Sequence, residues 1–571
     1  MREISAAAVI VGSGCAGLNA ADTLSQLGVD CLLVTEDMNA GTSRNTGSDK
    51  QTYYKLSLGG DDPDSVGDLA SSLGGSDIHG DIALCEAALS APCFLKLCQL
   101  GVPFPTNAYG EYAGYQTDHD TRRRATSAGP LTSRMMTEAL ERSVRQRSIP
   151  ILDRTLAVRV VRDAAGVAAL DVWNRDTHEL TRIRCGSVIL CTGGPAHIYR
   201  DRVYPESQHG MSGLAFEAGA EGANLDCWQY GLASTRFRWN VSGSYQQVIP
   251  RYVSVGSDGQ EREFLADALG EREAMAMTFL KGYQWPFDPN RVNGSSRVDL
   301  LVKRETDAGR TVYLDYRSNP RGYDLEQLTE EARNYLLQSG AAADTPIERL
   351  RRMNAPAISL YLDHGIDLTS DMLEVKVCAQ HHNGGIAVNA DAETSVPGLY
   401  AAGEAAGTFG RRRPGGSALN ATQTGSMRAA QHIALHPRSV TSGPLPEEPL
   451  TLPVGELAGF QTEMSRVAAF ERDGEGMRRL RTRIGEALSR SVQVSQDAPD
   501  FESRLLLRDA LITQREVLSA MLFALDEPDG AQGVLPTRSG VSAREPARPI
   551  PDRDLWFERV WKAYREEHGL T

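Results

Sequence analysis

The glycine turn near the start of the chain restricts its fold more than any other feature. Ala7–Val11 is a short apolar run, and Gly12-Ser13-Gly14-Cys15-Ala16-Gly17 follows it directly. Leu18–Leu27 then has helical apolar spacing, and Cys31–Val34 has the composition of a buried strand. A strand, a GxGxxG turn, a helix and a second strand are the opening unit of a dinucleotide-binding fold.

The spacing inside this turn indicates what it binds. Gly12 allows the tight turn, Gly14 lets the backbone approach a pyrophosphate, and Gly17 allows close helix–strand packing. The N–H groups and the dipole at a helix N-terminus favour the negative charge of a diphosphate. Glu36 lies 19 residues after Gly17, where a carboxylate can accept both ribose hydroxyls. We therefore expect a bound dinucleotide; a turn with only a structural role is the alternative.

Two later segments have the same character as the first strand. Val188-Ile189-Leu190-Cys191 ends in Thr192-Gly193-Gly194, and Gly398-Leu399-Tyr400-Ala401 ends in Ala402-Gly403-Glu404. These strands are expected to join one sheet, which makes the dinucleotide domain discontinuous.

The predicted organisation is therefore α/β, with a discontinuous Rossmann-like domain, an inserted α+β capping domain and a C-terminal helical domain. The expected limits are 1–235 and 376–436 for the Rossmann-like domain, 236–375 for the cap, 437–455 for a linker, and 456–571 for the helical domain with its tail. Within the tail, 530–551 reads as irregular and 555–564 as a short helix.

Composition excludes several classes of function. Sixty Lys and Arg against 74 Asp and Glu give a net charge of −14, which argues against a nucleic-acid partner. No apolar run approaches the ~18 residues of a spanning helix, so no integral membrane contact is expected. Nine cysteines without regular spacing predict neither a disulfide framework nor an iron–sulfur cluster, which makes the cytoplasm the expected compartment.

Other patterns carry less weight. No motif for zinc, a P-loop or a nucleophilic serine is present, and no metal site is expected. Arg122-Arg123-Arg124 is more typical of a solvated basic turn than of a loop that meets phosphate or substrate.

Three late motifs, added to the glycine turn, resemble a known family. They are Gly385-Ile386, the run from Pro397 to Ala406, and Arg413-Pro414-Gly415-Gly416-Ser417-Ala418-Leu419. Together they are similar to the flavoprotein subunit of fumarate reductase and succinate dehydrogenase, a family that includes L-aspartate oxidase. The resemblance covers roughly residues 6–60, 150–230 and 375–435.

This resemblance implies FAD as the cofactor and assigns roles to single residues. Glu404 would bind the ribityl chain, Ser417 and Leu419 would lie by the isoalloxazine, and Arg413 would grip a substrate carboxylate. The alternative for Arg413 is a surface arginine in a basic loop with Arg411 and Arg412. The residues expected at the cofactor are Gly12, Gly14, Ala16, Gly17, Glu36, Asn45, Thr46, Gly47, Val158, Thr192, Gly193, Gly403, Glu404, Ser417 and Leu419.

One departure from the family concerns how the flavin is held. Its covalently flavinylated members carry a histidine in a Ser-His-Thr stretch, and the matching run here is Ser43-Arg44-Asn45-Thr46-Gly47. An amide cannot form the histidyl–flavin bond, so we expect FAD to be bound noncovalently.

Further departures concern the C4-dicarboxylate site. The histidine that follows a Trp-Gln pair in the family is missing after Trp228-Gln229, and Gln380 stands where the second histidine is expected. The arginine run of the family's cap is also absent, with Arg251 nearby as a substitute. Fumarate and succinate are therefore not expected as substrates.

The candidate catalytic residues are His381, His382, Arg251, Arg413 and Tyr245. Histidine is the best acid or base near neutral pH, although one of the pair could pack beneath the flavin and the other cap a turn.

The predicted function is an FAD-dependent oxidoreductase that moves hydride between flavin N5 and a small, carboxylate-bearing substrate. One alternative is the flavoprotein subunit of an electron-transfer complex, similar to adenylylsulfate reductase, with an iron–sulfur partner. Another is a flavin-bearing protein without catalysis. The electron donor or acceptor is unknown, and the oligomeric state is open, a homo-oligomer being one option.

Overall fold

The computed structural model describes residues 1–59, 64–74, 79–117, 120–288, 291–410, 413–446 and 449–526, together with 533–535, 545–546 and 562. Arg411 and Arg412 lie outside the described residues. So do the predicted irregular tail, apart from 533–535 and 545–546, and the predicted final helix, apart from residue 562.

The strands and helices are numbered in chain order. The strands are β1 Arg2–Ser5, β2 Ala8–Val11, β3 Cys31–Val34, β4 Tyr53–Tyr54, β5 Tyr115–Thr117, β6 Asp120–Thr126, β7 Ile151–Leu152, β8 Thr155–Asp163, β9 Gly166–Asn174, β10 Leu180–Arg184, β11 Ser187–Leu190, β12 Gly222–Ala223, β13 Trp228–Ser234, β14 Trp239–Asn240, β15 Arg251–Val255, β16 Glu261–Arg262, β17 Thr311–Asp315, β18 Leu373–His382, β19 Gly385–Ile386, β20 Leu399–Ala401, β21 Thr451–Leu452, β22 Val492–Gln493, β23 Gly533–Leu535 and β24 Glu545–Pro546. The helices are α1 Cys15–Gln26, α2 Thr42–Asn45, α3 Val66–Gly74, α4 Gly80–Gln99, α5 Thr132–Gln146, α6 Gly213–Glu217, α7 Ser244–Gln247, α8 Phe264–Leu269, α9 Glu271–Lys281, α10 Ser296–Asp307, α11 Glu330–Gln338, α12 Pro346–Asp363, α13 Ser417–Leu435, α14 Leu457–Val467, α15 Gly474–Ser489 and α16 Phe501–Asp526.

A parallel sheet forms the centre of the molecule. Its strand order is β20-β11-β2-β3-β7, so strands that are far apart in sequence lie side by side. Successive residues of a strand face opposite sides of a sheet, and here both sides are covered. Val9 and Val11 join a core that includes helices α14 to α16, whereas Ala8 and Ile10 pack with α1, α4, α5 and α13. The expectation that the three apolar runs share one sheet is confirmed.

A second, antiparallel sheet carries the cap. Its order is β14-β13-β18-β17-β15-β16, and an apolar core separate from that of the parallel sheet packs it against α7, α8, α10 and α12. Helices α14, α15 and α16 make up most of the described part of the region after the linker, which also contains β22, β23 and β24. The predicted fold class, a Rossmann-like α/β domain with a cap and a C-terminal helical region, is confirmed.

Two local expectations look different in the structure. The predicted domain boundary between residues 375 and 376 falls inside β18. Strand β13, which belongs to the cap sheet, lies before the predicted boundary between residues 235 and 236. These domain boundaries stay a prediction. The basic run Arg122–Arg124 is part of strand β6 and not a solvated turn. Arg124 is buried, and its guanidinium is paired with Asp64 at 2.7 Å and with Asp120 at 2.9 Å.

We expect Gly17→Ala to lower the unfolding free energy by about 1–3 kcal/mol, because a methyl group there overpacks the α1–β2 contact. A Cβ on Gly17 would lie 1.8 Å from the carbonyl oxygen of Gly12. Gly485→Ala is the matched control: it lies in helix α15 with no atom within 4 Å of an added Cβ, and helix propensity alone should raise stability there by about 0.5–1 kcal/mol. Denaturant unfolding of both variants measures the contrast, and equal effects would contradict it.

Candidate functional site

A cavity of about 860 Å³ opens at the carboxyl ends of the parallel strands. The segments that follow β2, β3, β11 and β20 all line it, and residues of the cap close its other side. In open α/β sheets this edge is where ligands bind, because the loops that leave the strands converge there.

One end of the cavity is shaped for a diphosphate. Gly12 has φ +109°, and a Cβ on it would lie 2.4 Å from the carbonyl oxygen of Cys191. Gly14 precedes α1 and offers no side chain to cap the helix, so the positive end of the helix dipole faces the cavity. The hydroxyls of Thr42 and Thr192 also line it, and both are buried without a hydrogen-bond partner among the described residues. These features fit the phosphates of a dinucleotide.

Glu36 lies beside this end, as predicted for a ribose-binding carboxylate, and it has a partner that the sequence did not suggest. The ring Nδ1 of His209 lies 2.9 and 3.0 Å from the two carboxylate oxygens of Glu36. The carbonyl of His209 in turn accepts a hydrogen bond from Nδ1 of His197, which is fully buried. His209 is thus held from two sides. It comes 173 residues after Glu36, and no local pattern marks it.

Glu404 lies in the wall of the same cavity. Its carboxylate accepts hydrogen bonds from the Tyr204 hydroxyl and from the backbone N–H of His382, the latter at 2.9 Å. Burial raises the pKa of Glu404 to about 7, although these bonds and the nearby Arg413 act in the opposite direction.

Arg413 lies in the wall of the same cavity and is oriented by Gln229. Its Nε and Nη2 donate to the Gln229 side-chain oxygen at 3.0 and 2.8 Å, and its Nη1 donates to the carbonyl of Pro414 at 3.2 Å. Burial lowers the pKa of Arg413 to about 10, so the side chain stays charged at neutral pH. A guanidinium has five N–H donors, so two of them remain for a ligand.

His381 also lines the cavity, and its tautomer follows from its neighbours. The Asn383 amide nitrogen donates to the carbonyl of Gly410 at 2.8 Å, which turns the amide oxygen towards Nδ1 of His381 at 2.9 Å. Nδ1 must therefore carry the proton, and Nε2 presents a lone pair. Nε2 is buried without a hydrogen-bond partner among the described residues and lies 3.9 Å from Glu404. Burial, followed by the charge of Arg413, lowers the pKa of His381 well below its ordinary value, so the ring is neutral.

The pairing of β13 with β18 explains why only one of the tandem histidines reaches the cavity. His381 is paired with Gln229 and His382 with Trp228, so the two pairs occupy opposite faces of the sheet. The His382 ring stacks on Trp228 at 4.2 Å, and its Nε2 faces the carbonyl of Leu225 at 3.2 Å. An irregularity in register next to His381 adds Gln380 to the cavity wall.

The structure brings most of the sequence-predicted residues to this cavity. Those that line it are Gly12, Gly14, Ala16, Glu36, Gly47, Thr192, Gly193, His381, Gly403, Glu404, Arg413 and Leu419. Those that do not are Gly17, Asn45, Thr46, Val158, Tyr245, Arg251, His382 and Ser417.

Two of the candidate catalytic residues lie away from the cavity, within the cap. Arg251 was expected to replace a missing proton donor. Its guanidinium instead pairs with Glu261, Glu263 and Asp315 at 3.0–3.3 Å. Tyr245 is buried in the apolar core of the cap, with its ring edge-to-face on Tyr361 at 5.7 Å. Neither side chain is placed to exchange a proton with a molecule in the cavity.

Some residues expected at the cofactor have local structural roles instead. The Asn45 amide donates to the carbonyls of Asn39 and Gly41 at 2.8 and 2.9 Å and closes its own loop. The Ser417 hydroxyl donates to the carbonyl of Pro414 at 2.8 Å, just before α13. Val158 is a buried core residue of β8, and its neighbour Ala157 lines the cavity.

The described part of the chain contains no candidate membrane span and no candidate metal cluster. There, no helix combines the length and apolar character needed to cross a bilayer. In the same part, no three His, Cys, Asp or Glu side chains are grouped as metal ligands.

Comparison with known proteins identifies the family. The model of the family described as "FAD binding domain" matches residues 7–419. An L-aspartate oxidase of Mesorhizobium japonicum is 29% identical over 551 residues, covering 94% of this chain and 95% of that protein. One subunit of the fumarate reductase (CoM/CoB) of Methanothermobacter marburgensis is 25% identical and covers 74% of this chain and 71% of that protein. The solved structure of Mycobacterium smegmatis Sdh1 in complex with UQ1 has a TM-score of 0.74 at 18% identity, covering 99% of this chain and 98% of the other.

We expect acid precipitation to release the flavin from the purified protein. Asn45 offers no nucleophile, so the visible flavin absorbance should move to the supernatant. A spectrum recorded before and after precipitation measures this, with a covalent flavoprotein treated alongside as control. Yellow colour that stays in the pellet would mean that another side chain is bonded to the flavin.

The glycine cradle, the unpartnered threonine hydroxyls and the carboxylate of Glu36 beside them fit the cofactor of the matching family. The resemblance predicted from the sequence motifs is confirmed. The chain belongs to the FAD-binding family that contains L-aspartate oxidases and the fumarate reductase flavoproteins, and it is an FAD-dependent oxidoreductase.

Proposed function

We propose that this oxidoreductase acts on a small carboxylate-bearing substrate, with Arg413 as the carboxylate anchor and His381 as the proton-transfer group. The observation that carries the proposal is that Arg413, whose guanidinium stays charged at neutral pH, and His381, whose Nε2 has no hydrogen-bond partner among the described residues, line one cavity. The cross-strand pair of Gln229 with His381, and the bonds from Arg413 to Gln229, place the two groups next to each other.

The residues divide the chemistry between them. FAD, when bound, supplies the acceptor or donor of hydride at flavin N5. Arg413 uses its two remaining N–H donors to hold the substrate carboxylate, and Gln229 keeps the guanidinium in place. The Nε2 lone pair of His381 takes a proton when the substrate is oxidised and returns it in the reverse direction. Glu404, for which the resemblance implies binding of the ribityl chain, lies beside both groups.

The relatives named as L-aspartate oxidases support an acid that carries an amine. Oxidation of a C–N bond needs a neutral base for the amine proton, and a neutral His381 meets that need. Fumarate and succinate are still not expected as substrates, because the residues with which the family binds a second carboxylate are replaced in this chain. Gln380, for example, stands where the family has a histidine. The alternative of an electron-transfer subunit has the support of the relative that is one subunit of a fumarate reductase, and of the fold shared with an adenylylsulfate reductase at TM-score 0.59. A cytoplasmic location and a homo-oligomer stay predictions.

We expect His381→Gln to slow flavin reduction about 100- to 10,000-fold, the usual contribution of a positioned acid or base. His382→Gln is the matched comparison, because it removes a neighbouring buried histidine that lies on the other face of the sheet. It should lower thermal stability and leave the reduction rate within about tenfold. Anaerobic stopped-flow bleaching with the fastest-reacting amino acid measures both rates. Equal losses in the two variants would contradict a specific role for His381.

A second expectation concerns pH. The positive charge of Arg413 lowers the pKa of His381, so Arg413→Gln should raise that pKa towards its ordinary value. Because the neutral ring is the active form, the acidic limb of the reduction rate should move to higher pH in the variant. An NMR titration of the His381 ring checks the same shift without turnover. An unchanged titration would mean that the charge at position 413 does not act on His381.

A further inference from the structure

The cap side of the cavity is lined by aromatic residues. Phe279, Tyr283, Trp285 and Tyr335 all belong to its wall. The Phe279 ring lies edge-on to Tyr335 at 5.5 Å and to Tyr283 at 6.2 Å, so three of the four rings form one cluster. Edge-to-face contacts of this kind accept a further ring without rearrangement.

This aromatic wall is joined to the Arg413 end of the cavity through β13. Gln229, which holds Arg413, is two residues from Gly231 on that strand. A Cβ on Gly231 would lie 2.5 Å from the indole nitrogen of Trp285, so Trp285 packs directly against the strand. A ligand whose carboxylate meets Arg413 can therefore extend along β13 towards the rings.

Two carboxylates against one lysine give this part of the cavity a net negative charge, which opposes a second carboxylate. Asp49 and Glu331 line the same cavity, and neither forms an ion pair with a described residue. The Asp49 carboxylate accepts hydrogen bonds from the Ser244 hydroxyl and from the Asn354 amide, the latter at 2.7 Å, while Glu331 accepts one from the Tyr283 hydroxyl. Lys50 also lines the cavity, with its ammonium group 5.5 Å from the centre of the Tyr115 ring.

We infer that the cavity selects a monocarboxylate with an aromatic or similarly flat apolar group and discriminates against dicarboxylates. The carboxylate would meet Arg413, and the apolar group would lie against Phe279, Tyr283, Trp285 and Tyr335. A dicarboxylate would bring its second charge towards Asp49 and Glu331, where repulsion disfavours it. The inference rests on the proposed function, from which it takes Arg413 as the carboxylate anchor.

The test uses two acids that cannot form a carbon–carbon double bond by losing hydride, phenylacetate and malonate, titrated into the purified holoenzyme. Binding is read from the perturbed spectrum of the oxidised flavin and, independently, from the shift in thermal stability. We expect phenylacetate to bind at least about tenfold more tightly than malonate. Malonate binding as tightly as phenylacetate would overturn the inference, and so would no binding of phenylacetate by either readout.

Charge variants test the reason for the selectivity. Asp49→Asn keeps the oxygen that accepts from Ser244 and Asn354, and Glu331→Gln keeps an acceptor for Tyr283. The double variant should tighten malonate binding about threefold or more and leave phenylacetate within about twofold. Glu330→Gln, an exposed neighbour on α11 that does not line the cavity, is the control and should change neither. If the double variant is unstable, Glu331→Gln alone serves, because Glu331 is exposed. An unchanged malonate affinity would overturn the electrostatic part of the inference.

Arg413→Gln separates this inference from the proposed function. If Arg413 anchors the carboxylate, the variant weakens phenylacetate and malonate together. If it weakens neither, the proposed function loses its anchor, whereas a preference for phenylacetate over malonate would still support the aromatic wall. If the wild-type protein shows no preference for phenylacetate over malonate, and Arg413→Gln weakens the binding of both acids, the inference is overturned. The proposed function then stands.

Discussion

The contact between Gly17 and the carbonyl of Gly12 sets the position of the diphosphate end of the site, against which the cap closes. With no side chain on either residue, α1 packs so closely on β2 that its N-terminus reaches the edge of the parallel sheet. The N–H of Gly12 donates to the carbonyl of Val34 at 2.8 Å, which ties the turn to β3 and brings Glu36 alongside. The loops after β11 and β20 leave the sheet at the same edge, so these loops and the glycine turn together form the diphosphate end of the cavity.

The second determinant is the pairing of β13 with β18, which belongs to the cap sheet and ends at the cavity. The register of this pair decides that Gln229 and His381 share the inner face, while Trp228 and His382 stack on the other. Gln229 then positions Arg413, which comes from a loop 184 residues away in sequence. One strand pair thus brings together the proposed carboxylate anchor and the proposed proton-transfer group from distant segments.

The three ionisable groups at this end of the cavity control each other's charge. Arg413 stays protonated and lowers the pKa of His381, while burial raises the pKa of Glu404 to about 7. Because burial removes much of the screening by water, each group acts more strongly on its neighbours than it would in bulk solvent. The result is a site with one fixed positive charge, one neutral base and one carboxylate that titrates near neutral pH. Such an arrangement would suit the single carboxylate and the proton transfer of the proposed function, in keeping with the aromatic and acidic character of the cap wall.

The sequence by itself determined the elements whose cause is local. The apolar runs, the glycine turn and the position of Glu36 predict the parallel sheet and its nucleotide edge, because strand and turn preferences depend on neighbouring residues. The late motifs around Glu404 and Arg413 extended that prediction to the family and the cofactor. Only the tertiary structure decided which of His381 and His382 faces the cavity, that Arg251 is neutralised by Glu261, Glu263 and Asp315, and that His209 supports Glu36. These outcomes depend on strand register and on contacts between residues far apart in sequence, and neither is expressed in the local pattern of the chain.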